Sequence, residues 1–135
     1  MPYTMSWLYP GRVLYTRVSG SVSLDELHAY NADLIKQMRS EKHPIHTVLH
    51  HDNITRIPRD VLTVRRTLTA LDEPNIGWII HVSENRSPWL YVGLLMSRMT
   101  GTRGHVTTTV DDALTFLSKE DPTLPDLRWG GVGDD

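Results

Sequence analysis

The stretch IGWIIHV, residues Ile76–Val82, is the strongest indication of the fold of this chain. It is the most apolar of the strand-like runs, and only a glycine and a histidine interrupt its apolar side chains. Continuous apolar strands are typical of sheet interiors that are covered on both faces. The stretch therefore predicts a largely parallel sheet with helices packed on it.

Strand-like runs alternate with helical patterns on both sides of this stretch. Pro10 and Gly11 separate the first two runs as turn residues, which predicts an antiparallel hairpin. Ser23 and Glu26 have the spacing of a capping box, so the first helix should begin there, and Thr109 should cap the last helix. We expect strands at residues 3–9, 13–19, 45–50, 76–82 and 104–108.

Apolar side chains recur with a helical period between these strands. In the first helix Leu27, Leu34 and Met38 share the buried face, and Asn31 is expected outside it. The resulting order, ββαβαβαβα, predicts an α/β fold with a mixed, mostly parallel sheet of about five strands. The first hairpin strand should lie at or near an edge of that sheet.

Size and composition restrict the class of protein. The chain has 135 residues, 39% of them hydrophobic and 22% charged, which predicts one globular domain over residues 1–120 and an irregular tail over 121–135. A net charge of −2 gives no general attraction to nucleic acid, and no apolar run approaches the ~20 residues that span a bilayer. No cysteine is present, which excludes disulfides and thiolate chemistry. We expect a cytoplasmic protein without nucleic-acid or membrane partners.

The stretch TVLHHDNITRIP, residues 47–58, raises the possibility of a metal site. Alternation along a strand sends His50 and His51 to opposite faces, so they cannot easily bind one ion together. His81 lies near the end of the next predicted strand and could approach one of them, and Asp52 could add a carboxylate. We favour the simpler interpretation, in which these are polar strand ends hydrogen-bonded to nearby backbone, and we predict no metal.

Signals for catalysis are missing from the sequence. There is no G-x-S-x-G elbow, and Asp111 and Asp112 are better explained as acids in the first turn of a helix. We predict a protein that is not an enzyme, with no catalytic residue and no cofactor.

Polar residues follow the carboxyl ends of the predicted strands, where ligands bind in parallel α/β sheets. This edge supplies the candidate ligand- or partner-binding residues His50, His51, Asp52, Thr55, Arg56, His81 and Arg86. The third helix is apolar over a wide face, which includes Met99. Such a helix is deeply buried or contacts another chain, so Trp89, Leu90 and Leu94 are candidate contacts of a homodimer.

Three runs, VLYTRVSGSVSLDELHAYNADLI, VLHHDNITRIP and TTTVDDALTFL, resemble STAS and SpoIIAA-like domains, which are related to anti-sigma factor antagonists. The resemblance implies a regulatory module that binds partner proteins. It also implies a Ser or Thr phosphorylated at the start of the helix after the strand 45–50. This chain has Pro58, Arg59, Asp60 and Val61 there, and the nearest hydroxyls are Thr55 and Thr63, so the phospho-switch is expected to be missing.

Three functions stay open at this point. The first is a STAS-like interaction module, working as a monomer or homodimer with an unknown protein partner. The second is a module that binds an anionic or amphipathic small molecule at the carboxyl edge through Arg56, Arg86 and a histidine. The third and weakest is a metal-dependent enzyme built on His50 or His51, Asp52 and His81.

Overall fold

The computed structural model describes residues 3–58, 60–84, 88–125 and 127, and of residues 88 and 89 it describes the backbone alone. The strands are β1 (Tyr3–Tyr9), β2 (Val13–Ser21), β3 (Ile45–Arg56), β4 (Ile76–Val82) and β5 (Gly104–Thr107). The helices are α1 (Leu24–Arg39), α2 (Val61–Thr67), α3 (Pro88–Thr100) and α4 (Val110–Glu120), and a 3₁₀ segment spans Thr69–Asp72.

The expected helix caps are present. The Glu26 backbone N–H donates to Ser23 Oγ at 3.2 Å, and the Glu26 carboxylate accepts from the Ser23 backbone N–H at 2.9 Å, which completes the capping box. The Thr109 hydroxyl accepts from the Asp112 backbone N–H at 3.1 Å. These contacts satisfy backbone donors that a helix start otherwise leaves without partners.

The five strands lie in the order β1-β2-β3-β4-β5. β1 pairs with β2 in antiparallel orientation, and the other three pairings are parallel. The prediction of an α/β fold with a mixed, mostly parallel five-stranded sheet is confirmed, and β1 occupies one edge as expected. β5 forms the other edge.

Helices cover both faces of the sheet. On one face Leu49 of β3 and Ile79 of β4 pack with Leu27 of α1, Val64 of α2 and Met96 of α3. On the other face the core consists of β-strand residues and the buried stripe of α4, namely Val13, Tyr15, Val48, Ile80, Val82, Val110, Ala113, Leu114 and Leu117. This double coverage explains why Ile76–Val82 reads as a continuous apolar run. We call the two sides the three-helix face and the α4 face.

The prediction that Asn31 lies outside the buried face of α1 is wrong. Its side chain is buried, with 9% of its surface exposed. Its Nδ2 donates to Thr69 Oγ1 at 3.0 Å, and its Oδ1 accepts from the Ala70 backbone N–H at 2.8 Å. Asn31 is buried because both ends of its amide find partners, and it joins α1 to the 3₁₀ segment.

Several element boundaries differ from the expected ones, since β2 ends at Ser21 and not at residue 19, and β5 ends at Thr107 and not at residue 108. β3 does not end near His50 but continues to Arg56, with a positive φ of 54° at Asn53 and shifts in its register with β2. The chain turns at Leu68, which separates α2 from the 3₁₀ segment.

Candidate functional site

The alternation of β3 separates the two adjacent histidines. His50 accepts or donates a hydrogen bond of 2.7 Å between its Nδ1 and the hydroxyl of Tyr15, whose ring belongs to the core of the α4 face. His51 points to the three-helix face and is 5% exposed. The two rings therefore lie in different environments, because successive side chains of a strand point to opposite faces of the sheet.

His51 and His81 form a buried pair. His51 Nε2 lies 3.2 Å from His81 Nδ1, and only 2% of His81 is exposed. One of these two nitrogens carries the proton that the other accepts. The outer nitrogens, His51 Nδ1 and His81 Nε2, have no hydrogen-bond partner among the described residues. In either arrangement of protons one outer nitrogen is a donor and the other an acceptor.

The pair is electrically neutral near pH 7. Burial, followed in size by the neighbouring His81 and His50, lowers the pKa of His51 to about 3. Burial also lowers the pKa of His81, to about 4. Because the charged imidazolium is disfavoured without water or a carboxylate beside it, both rings are neutral hydrogen-bonding groups.

A cavity of about 40 Å³ lies between the three-helix face of the sheet and the helices above it. Its apolar walls include Leu49, Ile79, Leu71 and Met96, and its polar lining includes His81 of β4, Thr47 of β3 and Ser97 of α3. Like His81 Nε2, the hydroxyl oxygens of Thr47 and Ser97 are buried and have no partner within the described part of the chain. We call this space the His81 cavity.

Two glycines make room for the polar lining. A Cβ at Gly93 of α3 would overlap the imidazole of His81, and a Cβ at Gly104 of β5 would lie 2.6 Å from Ser97 Oγ. Thr47, Gly93 and Ser97 were not predicted as site residues. A signal for two of them was present in the sequence. Gly93 and Ser97 are small residues in an otherwise apolar helix, and their spacing of four residues places both on one face.

The other predicted edge residues do not converge on the histidine pair. Asp52 lies on the side of the sheet opposite to His51 and forms an ion pair of 2.7 Å with Arg17. Thr55 and Arg56 are exposed at the end of β3. Arg86 lies outside the described residues. The strands follow one another without a reversal of order, so the described sheet lacks the switch-point crevice where ligands bind in other α/β folds.

A metal site does not form from these residues. Within residues 3–58, 60–84, 88–125 and 127, no three His, Asp or Glu side chains are grouped so that they could hold an ion. His51 and His81 supply two nitrogens, and a Zn²⁺ site in proteins uses three or four protein ligands. His50 and Asp52, which the metal hypothesis needs, face the other side.

The predicted dimer contacts lie on α3. Leu90 is 5% exposed and Leu94 is partly exposed, and the Trp89 side chain lies outside the described part. The exposed apolar residues of this helix are instead Tyr91, Leu95 and Met99, with 60%, 42% and 43% of their surfaces exposed. Met99, a residue of the wide apolar face expected to be buried or to contact another chain, lies on the outer surface. We call these three residues the outer stripe of α3.

The structure also shows a polar cluster that was not predicted. His46, at the start of β3, lies 2.9 Å from Asp121 between Nε2 and Oδ2, and its Nδ1 accepts from the Trp78 backbone N–H. Arg12 pairs with the same carboxylate at 3.0 Å. A Cβ at Gly77 would collide with the His46 ring, so this glycine makes the burial of His46 possible. The cluster attaches the first residue after α4 to the amino ends of the strands.

Asp60 occupies the helix start where the family resemblance implies a phosphorylated hydroxyl. Its Oδ1 accepts from the backbone N–H groups of Leu62 and Thr63, and its Oδ2 accepts from the Thr63 hydroxyl at 2.9 Å. These hydrogen bonds, with that of the Thr63 hydroxyl first, lower the pKa of Asp60 and keep it ionised. Arg59 lies outside the described residues.

The chain matches no model of a known protein family, and it matches no curated protein. Among the described helices none is both long and apolar enough to cross a membrane.

Proposed function

We propose that this chain is a non-enzymatic protein-interaction module with the arrangement of STAS and SpoIIAA-like domains, and that its first partner is a second copy of itself. The observation that carries the proposal is the outer stripe of α3. Tyr91, Leu95 and Met99 are spaced four residues apart, so they form one continuous apolar row on the helix surface. Contiguous exposed apolar surface of this kind marks interaction sites.

The outer stripe borders the edge of the sheet that β5 forms among the described strands. A groove of about 540 Å³ runs between α3 and β5, and its walls include Leu90, Tyr91, Leu94 and Val106. β5 is the last strand of the sheet, so one row of its backbone N–H and C=O groups faces away from β4. An added strand can pair with such a row while its side chains enter an adjacent groove.

A second copy fits this surface by symmetry. Two β5 strands that pair in antiparallel orientation are related by a two-fold axis, and the same axis brings the two α3 helices together. The interface would then combine backbone pairing with burial of the outer stripe. The predicted contacts Leu90 and Leu94 would contribute from the floor of the groove.

The resemblance to STAS domains supports a regulatory role without a phospho-switch. Asp60 supplies a permanent negative charge at the start of α2, where the resemblance implies a reversible one. Partner binding in this chain is therefore expected to be independent of phosphorylation at that position. A role for Arg56 and Arg86 in binding an anion at the carboxyl edge remains a separate prediction, and Arg56→Gln tests it.

The proposal is tested by placing a charge on the outer stripe. Leu95→Glu should halve the molar mass measured by light scattering, because a buried carboxylate at the centre of the interface lacks a partner. Leu62→Glu is the matched control, since Leu62 is 56% exposed on α2 and lies outside the groove. An equal effect of both variants would show that the stripe is not the interface.

A further inference from the structure

The His81 cavity has the features of a binding site. It is separate from the outer stripe of α3. Three of its lining residues, His81, Thr47 and Ser97, each carry a buried polar atom that has no partner among the described residues, namely Nε2, Oγ1 and Oγ. Their residues are 2%, 1% and 6% exposed. A buried polar group without a partner costs about 1–3 kcal/mol, so folded proteins rarely place three around one space. A molecule bound in the cavity would give these atoms a partner.

The charge of the lining determines which molecules can enter. None of the described residues around the cavity is Asp, Glu, Lys or Arg. An ion in this space would lose its hydration without gaining an opposite charge, which costs several kcal/mol. A neutral molecule loses much less, and its apolar part gains contact with Leu49, Ile79 and Met96.

The histidine pair can match more than one kind of polar group. When His81 Nδ1 donates to His51 Nε2, His81 Nε2 is an acceptor and can receive a hydroxyl proton. When the shared proton belongs to His51 instead, His81 Nε2 is a donor and can bind a carbonyl oxygen. The distance of 3.2 Å between the two rings permits both arrangements. The Ser97 and Thr47 hydroxyls can likewise donate or accept.

The volume limits the size of the ligand. A cavity of about 40 Å³ offers room for roughly three water molecules, or for one molecule of about four non-hydrogen atoms. We infer that the His81 cavity is a binding site for a small neutral alcohol or carbonyl compound, whose oxygen is held by His81, Ser97 and Thr47 and whose alkyl part contacts the apolar walls.

Two pairs of similar compounds test this inference in the intact chain. 2-Propanol is compared with isopropylammonium, and acetone with acetate, by titration followed through the imidazole ¹⁵N resonances of His51 and His81. Both neutral compounds should bind saturably below about 0.1 M, a modest affinity that lies well within the limit of about 1.5 kcal/mol for each non-hydrogen atom. Each charged counterpart should bind at least tenfold more weakly, which corresponds to about 1.4 kcal/mol. The two neutral compounds should favour opposite protonation patterns of the histidine pair.

Variants of the lining make the test specific. Gly93→Ala places a methyl group against the His81 ring, which must then shift beside the cavity, and should abolish binding of both neutral compounds. Ser97→Ala and Thr47→Val should each weaken acetone binding at least threefold without lowering stability, because they remove hydroxyls that lack protein partners. Thr115→Val, on the exposed side of α4, is the control and should change nothing.

Three results would overturn the inference. One is the absence of saturable binding of acetone and 2-propanol to the folded wild-type chain. Another is equal binding of acetate and acetone. The third is unchanged binding in Gly93→Ala or, if that variant does not fold, in Ser97→Ala combined with Thr47→Val.

Discussion

The imidazole of His46 connects two distant parts of the chain, because its Nε2 lies 2.9 Å from Asp121 Oδ2 while its Nδ1 accepts the Trp78 backbone N–H at 2.9 Å. The second bond assigns the ring proton to Nε2, which then donates to the carboxylate. Because that carboxylate also binds Arg12 and Thr123, the residue after α4 is anchored to the sheet.

Removing this carboxylate should destabilise the protein. Asp121→Ala leaves His46 Nε2 without its acceptor and leaves the Arg12 guanidinium with only the Thr123 hydroxyl of its two described acceptors, and hydrogen bonds to charged groups are worth about 1.5–3 kcal/mol. We expect a loss of about 2 kcal/mol in the free energy of unfolding, measured by urea denaturation. The neighbouring exposed residue supplies the control, Glu120→Ala, which should stay within about 0.5 kcal/mol of the wild type.

Asp121 also predicts how stability changes in acid. Burial by itself would raise the pKa of this carboxyl, but hydrogen bonds from Thr123 and His46 outweigh burial and lower the pKa to about 2. The unfolded chain therefore binds this proton first as the pH falls. The contribution of Asp121 to the free energy of unfolding is complete above about pH 4 and is lost as the pH falls toward 2. In Asp121→Asn this part of the stability profile should be flat.

The buried histidine pair predicts a loss of stability at milder pH. His51 and His81 have folded-state pKa values of about 3 and about 4, against 6.5 without burial. The unfolded chain takes up these protons below pH 6.5 and the folded chain does not. The free energy of unfolding therefore decreases as the pH decreases. Between pH 7 and pH 5 we expect a loss of about 2 kcal/mol for each histidine.

The double variant His51→Leu/His81→Leu checks the assignment. It should lose most of the dependence on pH between 7 and 5, and His43→Gln, which changes an exposed histidine, should retain it. A wild-type chain whose urea midpoint is constant over that range would contradict the burial of a neutral pair.

Asn31 gives a prediction about the connection between α1 and the 3₁₀ segment. Asn31→Ala leaves the Ala70 backbone N–H buried without an acceptor, and this should cost about 1–3 kcal/mol in the free energy of unfolding. The exposed Lys36 on the same helix provides the control, Lys36→Ala. Equal stability of the two variants would mean that the amide contributes nothing.

The sequence was sufficient for the features that local patterns determine. Apolar periodicity and the caps at Ser23 and Thr109 predicted the order of elements, because each cap satisfies its own helix within three residues. The alternation of a strand predicted that His50 and His51 face opposite sides, and the pairing of adjacent parallel strands predicted that His81 approaches one of them.

The remaining features depend on partners that are far apart in the chain. Asn31 is buried because of Thr69 and Ala70, and His46 because of Asp121. No periodicity within a helix or strand identifies such partners. The His81 cavity is similar, since it requires Thr47 and Ser97, which belong to different layers, to line the same space.

Self-association through the outer stripe of α3 can be measured directly. The experiment determines the mass of the wild-type chain under non-denaturing conditions across a dilution series. We predict a mass of twice that of the chain, which falls to the monomer mass on dilution and in Leu95→Glu at all concentrations. A wild-type protein that has the monomer mass at every concentration up to its solubility limit would contradict self-association through the outer stripe of α3.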